Sequence, residues 1–239
     1  MATALLIGFF ILSGWIAKNK IQQHKNGTAI TLDIFNIRGV AKQLPGEIDL
    51  NFLISVDTNE KYVLKVESTE RSLDNLQLQN EALKHLAQKE IPIQLPRVIA
   101  NKSGAIITEF TTESGQRVYL RLLTWVAGRL LAKVNPHTTE LLEDWGRTCG
   151  HLCHALKDFK HEGAHKYFKW NNSNANWVKD HLAVFDNPQK RELVQYFLDL
   201  FQKEVEPLLP TLRKSVNYND ANDYNVLINA DLANPKIAG

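Results

Sequence analysis

The alternation of apolar and polar positions is clearest from Asp49 to Val66, D-L-N-F-L-I-S-V-D-T-N-E-K-Y-V-L-K-V. Two β-rich runs flank the polar D-T-N-E, the pattern of a hairpin. Over 72–88 the period lengthens. Leu73, Leu76, Leu83, Leu86 and Ala87 fall on one stripe and predict a helix, closed at Ile91-Pro92 because proline cannot continue it. Short strands are predicted at 97–100 (R-V-I-A), 105–110 (A-I-I-T-E-F) and 118–123 (V-Y-L-R-L-L), divided by Ser103-Gly104 and Ser114-Gly115 turns. Beyond W-V-A-G at 125–128 the pattern becomes helical, with helices predicted over 137–160, 173–184 and 188–206. The apolar face of the first carries Leu141, Leu142, Trp145, Cys149, Leu152, Cys153 and Leu156. A small β-rich unit with one helix thus precedes a connector near 121–128 and a helical unit.

Composition narrows this picture. A chain of 239 residues with 44% hydrophobic content can bury a full core. Lys+Arg is 28 against Asp+Glu 26, a formal net charge of +2, so no one-sign field argues for a nucleic-acid partner. Cys149 and Cys153 provide no disulfide framework, which fits a reducing, cytoplasmic compartment. Residues 2–17, A-T-A-L-L-I-G-F-F-I-L-S-G-W-I-A, are nearly all apolar and are followed by Lys18, Lys20 and Lys25. No positive charge precedes the run after Met1, unlike a signal peptide, and the run is shorter than the roughly 20 residues of a full span. Two readings stay open: a membrane anchor whose lysines keep the remaining chain on the cytoplasmic side, and a packed N-terminal segment.

Candidate chemistry concentrates at 216–228, V-N-Y-N-D-A-N-D-Y-N-V-L-I. Phosphoryl transfer needs a carboxylate at the acceptor hydroxyl, ligands for Mg²⁺ and a cation on the nucleotide phosphates. Asp220 and Asn225 have the D-x-x-x-x-N spacing that supplies the first two, although the same residue types also favour a turn ahead of a strand. Lys65, in Y-V-L-K-V, stands where a kinase keeps its phosphate-contacting lysine; a strand lysine by itself reads as a solvated side chain. The order lends these residues weight: strand lysine, helix, three strands, connector, helices, D-x-x-x-x-N. C-G-H-L-C-H at 149–154, with His161 and His165 nearby, reads as core packing of the cysteine pair, since His151 and His154 diverge from that face. Trp170 reads as a buried anchor and 165–169 as a solvated loop.

With these residues in place, the chain resembles the aminoglycoside phosphotransferase and choline kinase superfamily over about residues 30–239. L-P-G-E-I-D-L-N-F at 44–52, Y-V-L-K-V at 62–66, L-Q-L-Q-N-E-A-L at 76–83, R-L-L-T-W-V-A-G at 121–128 and N-D-A-N-D-Y-N-V-L-I at 219–228 are similar to its hydroxylysine kinase branch, which also occurs fused to aminotransferases. The resemblance implies an α+β, two-lobed protein-kinase-like fold. It divides the chain into an apolar extension at 1–29, a β-rich N-lobe with one helix at 30–120, a hinge at 121–128 and a mainly helical, truncated C-lobe at 129–239.

It implies a phosphotransferase that moves the γ-phosphate of ATP or GTP, with Mg²⁺, to a hydroxyl of a small amino alcohol, hydroxylysine first. Asp220 would be the catalytic base, Asn225 a Mg²⁺ ligand and Lys65 the phosphate contact. The loop bearing Gly46 and Asn51 would cover the phosphates. Thr124 to Val126 would read the purine through backbone groups, with Leu123 at the back of the pocket.

Three positions depart from the family pattern. Gln79 stands where the lysine's acidic partner is expected; Glu81 points about 140° away from Leu76 and is a poor substitute. Tyr218 replaces the histidine two residues before Asp220, and the aspartate of the Asp-Phe-Gly-like motif is absent, Asp231 lying in a turn. The last departure carries a second expectation, an inactive fragment or a pseudokinase-type binding module.

Overall fold

The computed structural model describes residues 27–46, 49–69, 72–112, 115–167, 171–231 and 234–239. The apolar run at 2–17 and Trp170 lie outside the described residues. No helix among the described residues is long and apolar enough to cross a membrane.

A helix, α1 (Gly27–Phe35), precedes strands β1 (Val40–Leu44), β2 (Leu50–Ser55) and β3 (Lys61–Ser68). Helix α2 (Leu73–Leu86) follows, then β4 (Val98–Ile99), β5 (Thr108–Thr111) and β6 (Arg117–Thr124). These strands form one antiparallel sheet of order β1-β2-β3-β6-β4, with β5 also paired to β6. The expected β2–β3 hairpin is present, and its turn closes through Val56 N–H to Glu60 O (3.0 Å) and Asn59 N–H to Val56 O (3.1 Å). Asn59 takes φ 65°, a left-handed conformation that asparagine tolerates.

Alternation along the strands divides the sheet's two faces. Leu50, Phe52, Ile54, Leu64, Leu120 and Leu122 form a buried core with Ile30 and Phe35 of α1. Helix α1 sits close to the sheet because Gly27 lacks a side chain; a Cβ there would stand 3.0 Å from Ala41 Cβ and from the Phe52 ring. The intervening residues Asn51, Lys65, Glu67, Arg121 and Leu123 occupy the opposite face, and the hydrogen bonds described below tie α2 to it.

After β6 the chain forms β7 (Arg129–Leu130) and α3 (Thr139–Ala155), and near its end β8 (Leu227–Ile228) pairs antiparallel with β7. Thr138 caps α3, its hydroxyl accepting from Leu141 N–H at 3.3 Å. The buried face of α3 carries Leu141, Thr148, Leu152 and Ala155, with Leu156 buried just beyond its end. This corrects the expected stripe: Leu142 is 46% exposed, Cys153 is exposed and Cys149 is only half-buried. At 100° per residue Leu142 and Cys153 fall about 100° and 120° from Leu141, on the fringe of the face. Likewise in α2, Leu76 and Leu86 are buried but Leu73 is 40% exposed, and Asn80 takes a buried place between them.

Compactness divides the described residues into two units, one of His165–Lys214 and one of 27–164 with Ser215–Gly239. The smaller contains α4 (Pro188–Leu200) and two segments that differ from expectation. Residues Asn172–Val184 wind as a 3₁₀ helix broken at Asn174 (φ −102°, ψ 21°), in a stretch whose Asn and Ser side chains compete for the backbone. Past α4 the chain makes a π turn (Phe201–Val205) and a 3₁₀ helix (Glu206–Thr211), because Pro207 and Pro210 lack the N–H that an α-helix requires.

Candidate active site

The loop at 219–228 is fastened to the segment that follows β6. Leu131 N–H donates to Val226 O and Ala132 N–H to Asp223 O, both at 2.9 Å. Val226, Ile228 and Ile237 share a core with Leu131, Val134 and Leu141, so the backbone that follows Asp220 rests on α3 and β7. Gly128 permits this approach: a Cβ there would stand 2.7 Å from Leu227 Cβ and 2.9 Å from Ile228 O. Ile228 pairs with Ile237, and Asp231 accepts from Asn234 N–H at 3.3 Å, which places Asp231 in the turn, as expected.

Within the loop, Asp220 Oδ1 accepts from Asn222 Nδ2 at 2.7 Å, and Asp220 Oδ2 accepts from Asn225 Nδ2 at 2.7 Å. Asn222 Oδ1 in turn accepts from Tyr224 N–H at 2.9 Å, an Asx turn that shapes the loop. Asp220 and Asn225 are exposed, so the carboxylate is oriented by amides while facing solvent. With its NH₂ group turned to Asp220, Asn225 is left with Oδ1 as the oxygen it can offer a cation. Among the described residues no group of three or more His, Cys, Asp or Glu could hold a metal by itself. Without further oxygens from a ligand, this single amide oxygen is a weak site for a hard cation such as Mg²⁺. Partial burial, and next the Asp220 charge, push the Tyr218 hydroxyl above the usual phenol range.

Lys65 lies opposite Asn51 on β2 and opposite Arg121 on β6. Its Nζ donates to Asn51 Oδ1 at 3.3 Å. Gly46 lies at the same corner, where a Cβ would stand 2.6 Å from Asp49 O and 2.8 Å from Asn51 Nδ2. Leu123 is half-buried between Val63 and Val98, an apolar row beside the Lys65 row. At the end of β6 Thr124 N–H donates to Arg97 O (2.9 Å) and Trp125 N–H to Lys61 O (3.0 Å), while Val126 N–H makes no hydrogen bond among the described residues.

Gln79, read as the stand-in for an acidic partner of Lys65, is engaged elsewhere. Its Oε1 accepts from Arg121 Nη2 at 2.8 Å and its Nε2 donates to Asn75 Oδ1 at 3.1 Å. Sequence reasoning missed the buried group that Gln79 joins, Arg121 with Glu67 and Asn80. The signal was available: each of R-V-Y-L-R-L-L and V-L-K-V-E sets a charge inside an apolar strand.

An antiparallel sheet bearing a lysine at its centre and a D-x-x-x-x-N loop braced by a helix define a protein-kinase-like phosphotransferase fold. The chain belongs to the phosphotransferase enzyme family, whose description fits residues 40–239. It is 26% identical over 216 residues to a hydroxylysine kinase from Danio rerio, covering 87% of this chain and 61% of that one. It is 29% identical over 201 residues to a hydroxylysine kinase from Mus musculus, covering 77% and 53%. The chain therefore spans little more than half the length of these relatives. Among solved structures it is similar to the amicoumacin kinase hAmiN in complex with AMP-PNP, Ca²⁺ and Ami (TM-score 0.64, 16% identity, 89% of this chain and 65% of that one). It is similar too to a microcompartment-associated aminopropanol kinase (TM-score 0.66, 14% identity, 87% and 66%). The expected superfamily, branch and fold class are thereby borne out.

Proposed function

We propose that the protein is a small-molecule kinase that moves the γ-phosphate of ATP or GTP to a hydroxyl of a small amino alcohol, with hydroxylysine the first candidate. The observation that carries this reading is the pairing of Asp220 with Asn225, at 2.7 Å, in a loop within the family match. The names of the relatives supply the acceptor class: hydroxylysine and aminopropanol both carry an amine near a hydroxyl.

In this reading Asp220 orients the acceptor hydroxyl and takes its proton as the oxygen bonds to the γ-phosphorus and the bond from that phosphorus to the bridging β-phosphate oxygen breaks, releasing the nucleoside diphosphate. Lys65 holds the phosphates, the loop of Gly46 and Asn51 covers them, and Leu123 and the Val126 N–H meet the purine. Asn225 Oδ1 would hold Mg²⁺, which when bound neutralises charge on the phosphate oxygens.

The test is turnover of full-length protein with ATP and with GTP across a panel of amino alcohols, with and without Mg²⁺. Phosphorylated product that disappears in Asp220→Ala supports the proposal. Mg²⁺-dependent turnover indifferent to Asp220→Ala overturns it, and nucleotide-induced thermal stabilisation without product across the panel would make the protein a binding module.

A further inference from the structure

The stretch from Ser215 to Pro235 carries three aspartates, Asp220, Asp223 and Asp231, and no lysine, arginine or histidine. Two of the three are engaged: Asp220 accepts from Asn222 and Asn225, and Asp231 accepts from Asn234 N–H. Asp223 is half-buried, yet its carboxylate makes no hydrogen bond or ion pair among the described residues. Withdrawing a carboxylate from water without a partner costs free energy, which a cation brought by a substrate would offset.

The backbone at Asp223 is fixed from several sides. Its carbonyl accepts from Ala132 N–H at 2.9 Å, Ala221 packs against the core of Leu131, Leu141 and Ile228, and Val226 is buried in that core. Between these anchors the chain turns tightly: Asn225 N–H donates to Asn222 O at 3.0 Å and Tyr224 N–H to Asn222 Oδ1 at 2.9 Å. Asn222, which makes the turn, also donates through Nδ2 to Asp220 Oδ1 at 2.7 Å. One asparagine side chain thus ties Asp220 to the turn that carries Asp223, and the two aspartates keep their relation before any substrate arrives.

An amino alcohol that brings its hydroxyl to Asp220 carries an ammonium a carbon or two further along. That group is strongly hydrated and offers three donors, so a site that strips its water must return acceptors. Both oxygens of Asp220 already accept from amides, and it must also receive the hydroxyl. A second carboxylate in the same turn meets the need. Mg²⁺, the other cation of the proposed reaction, arrives with phosphate oxygens and waters of its own, whereas an ammonium arrives with donors only.

We infer that Asp223 is the specificity-determining residue of the acceptor site: its carboxylate takes the ammonium of the amino alcohol whose hydroxyl lies at Asp220. This rests on the reading of Asp220 as the group that receives the acceptor's proton.

The test uses full-length protein with the best acceptor of the amino-alcohol panel and the analogue in which a methyl group replaces its amine. A site built to bond a polar group strongly rejects an analogue lacking it, so the wild type is expected to favour the amine by roughly a hundredfold or more in kcat/KM. Asp223→Asn keeps the shape and removes the charge; it is expected to narrow that preference by about tenfold or more, through KM for the acceptor. KM for nucleotide and the Mg²⁺ requirement are expected to stay within about twofold. A wild type indifferent to the amine overturns the inference, as does a preference unchanged in Asp223→Asn. A raised Mg²⁺ requirement with the preference intact also overturns it and makes Asp223 a metal ligand.

Should Asp223→Asn not fold, or should no acceptor be turned over, the backbone ¹⁵N–H signals of Asp223 and Tyr224 in the wild type decide, on titration with hydroxylysine beside its methyl analogue. A shift that only the amine produces supports the inference; an equal response, or none, overturns it. Absence of turnover with every acceptor fails the kinase reading, while this titration still decides the role of Asp223.

Discussion

A carboxylate that accepts from two amides, as Asp220 does from Asn222 and Asn225, keeps its orientation before any substrate arrives. If it takes the acceptor proton, Asp220→Ala lowers kcat by roughly 10²–10⁴-fold and leaves nucleotide affinity within about twofold. Steady-state kinetics beside nucleotide titration checks both numbers. Gly46 is a different kind of residue, needed for close approach. Gly46→Ala forces a Cβ to within 2.6 Å of Asp49 O and 2.8 Å of Asn51 Nδ2, so the loop must shift away from the amide that receives Lys65. The expected result is a cost of about 1–3 kcal/mol in a denaturant titration, together with a raised KM for nucleotide. The pairing of Asp220 with Asn225 and the place of Lys65 in a strand were legible because spacing is a one-dimensional property. Arg121 was legible only as a charge inside an apolar strand, because nothing along the chain says that it will meet a carboxylate 54 residues away.

Among the elements, α2 and α3 are joined at their C-terminal ends. His85 reaches Ala155 O (3.0 Å) and Asp158 Oδ1 (3.1 Å), while Lys89 Nζ lies 2.8 Å from Asp158 Oδ2. The Lys89 hydrogen bond, ahead of the His85 contact, holds the Asp158 carboxyl below the usual carboxylate range. A folded-state value lowered in this way contributes stability that is present above the unfolded carboxylate's value, about 3.9, and is lost as pH falls through the lower folded value. The Tm gap between wild type and Asp158→Asn is therefore expected to hold at mildly acidic pH and to narrow below about pH 4; thermal melts in a buffer series check it. At the other end of α3, Thr138→Ala removes the hydroxyl that accepts from Leu141 N–H and is expected to cost about 1 kcal/mol of stability by urea titration. The helical period made α2 and α3 visible in the sequence. It did not separate the buried face from its fringe, so Leu142 and Cys153 were assigned to a core that ends short of them.

For the molecule as a whole, the core around Leu131, Leu141, Val226 and Ile228 is where the two ends of the second half of the chain meet. Ile228 is fully buried there, two residues beyond the last buried position of the Asp220 loop. Ile228→Ala is expected to cost about 2–5 kcal/mol and to lower turnover more than Tm alone explains, since the 219–228 backbone loses its anchor. In the smaller unit, Leu193, Tyr196, Phe197 and Leu200 recur at helical spacing along α4 with 41–60% exposure. The sequence by itself determined the hairpin, the two helical stripes, the strand lysine and the D-x-x-x-x-N loop, because periodicity and spacing are local and set by backbone geometry. Only the tertiary structure decided that Gln79 serves Arg121, that an ion pair lies buried beside Lys65, and that the Asp220 loop rests on β7 and α3. A period shows which face of an element turns inward; what waits on the other side is fixed by packing between segments far apart in the chain.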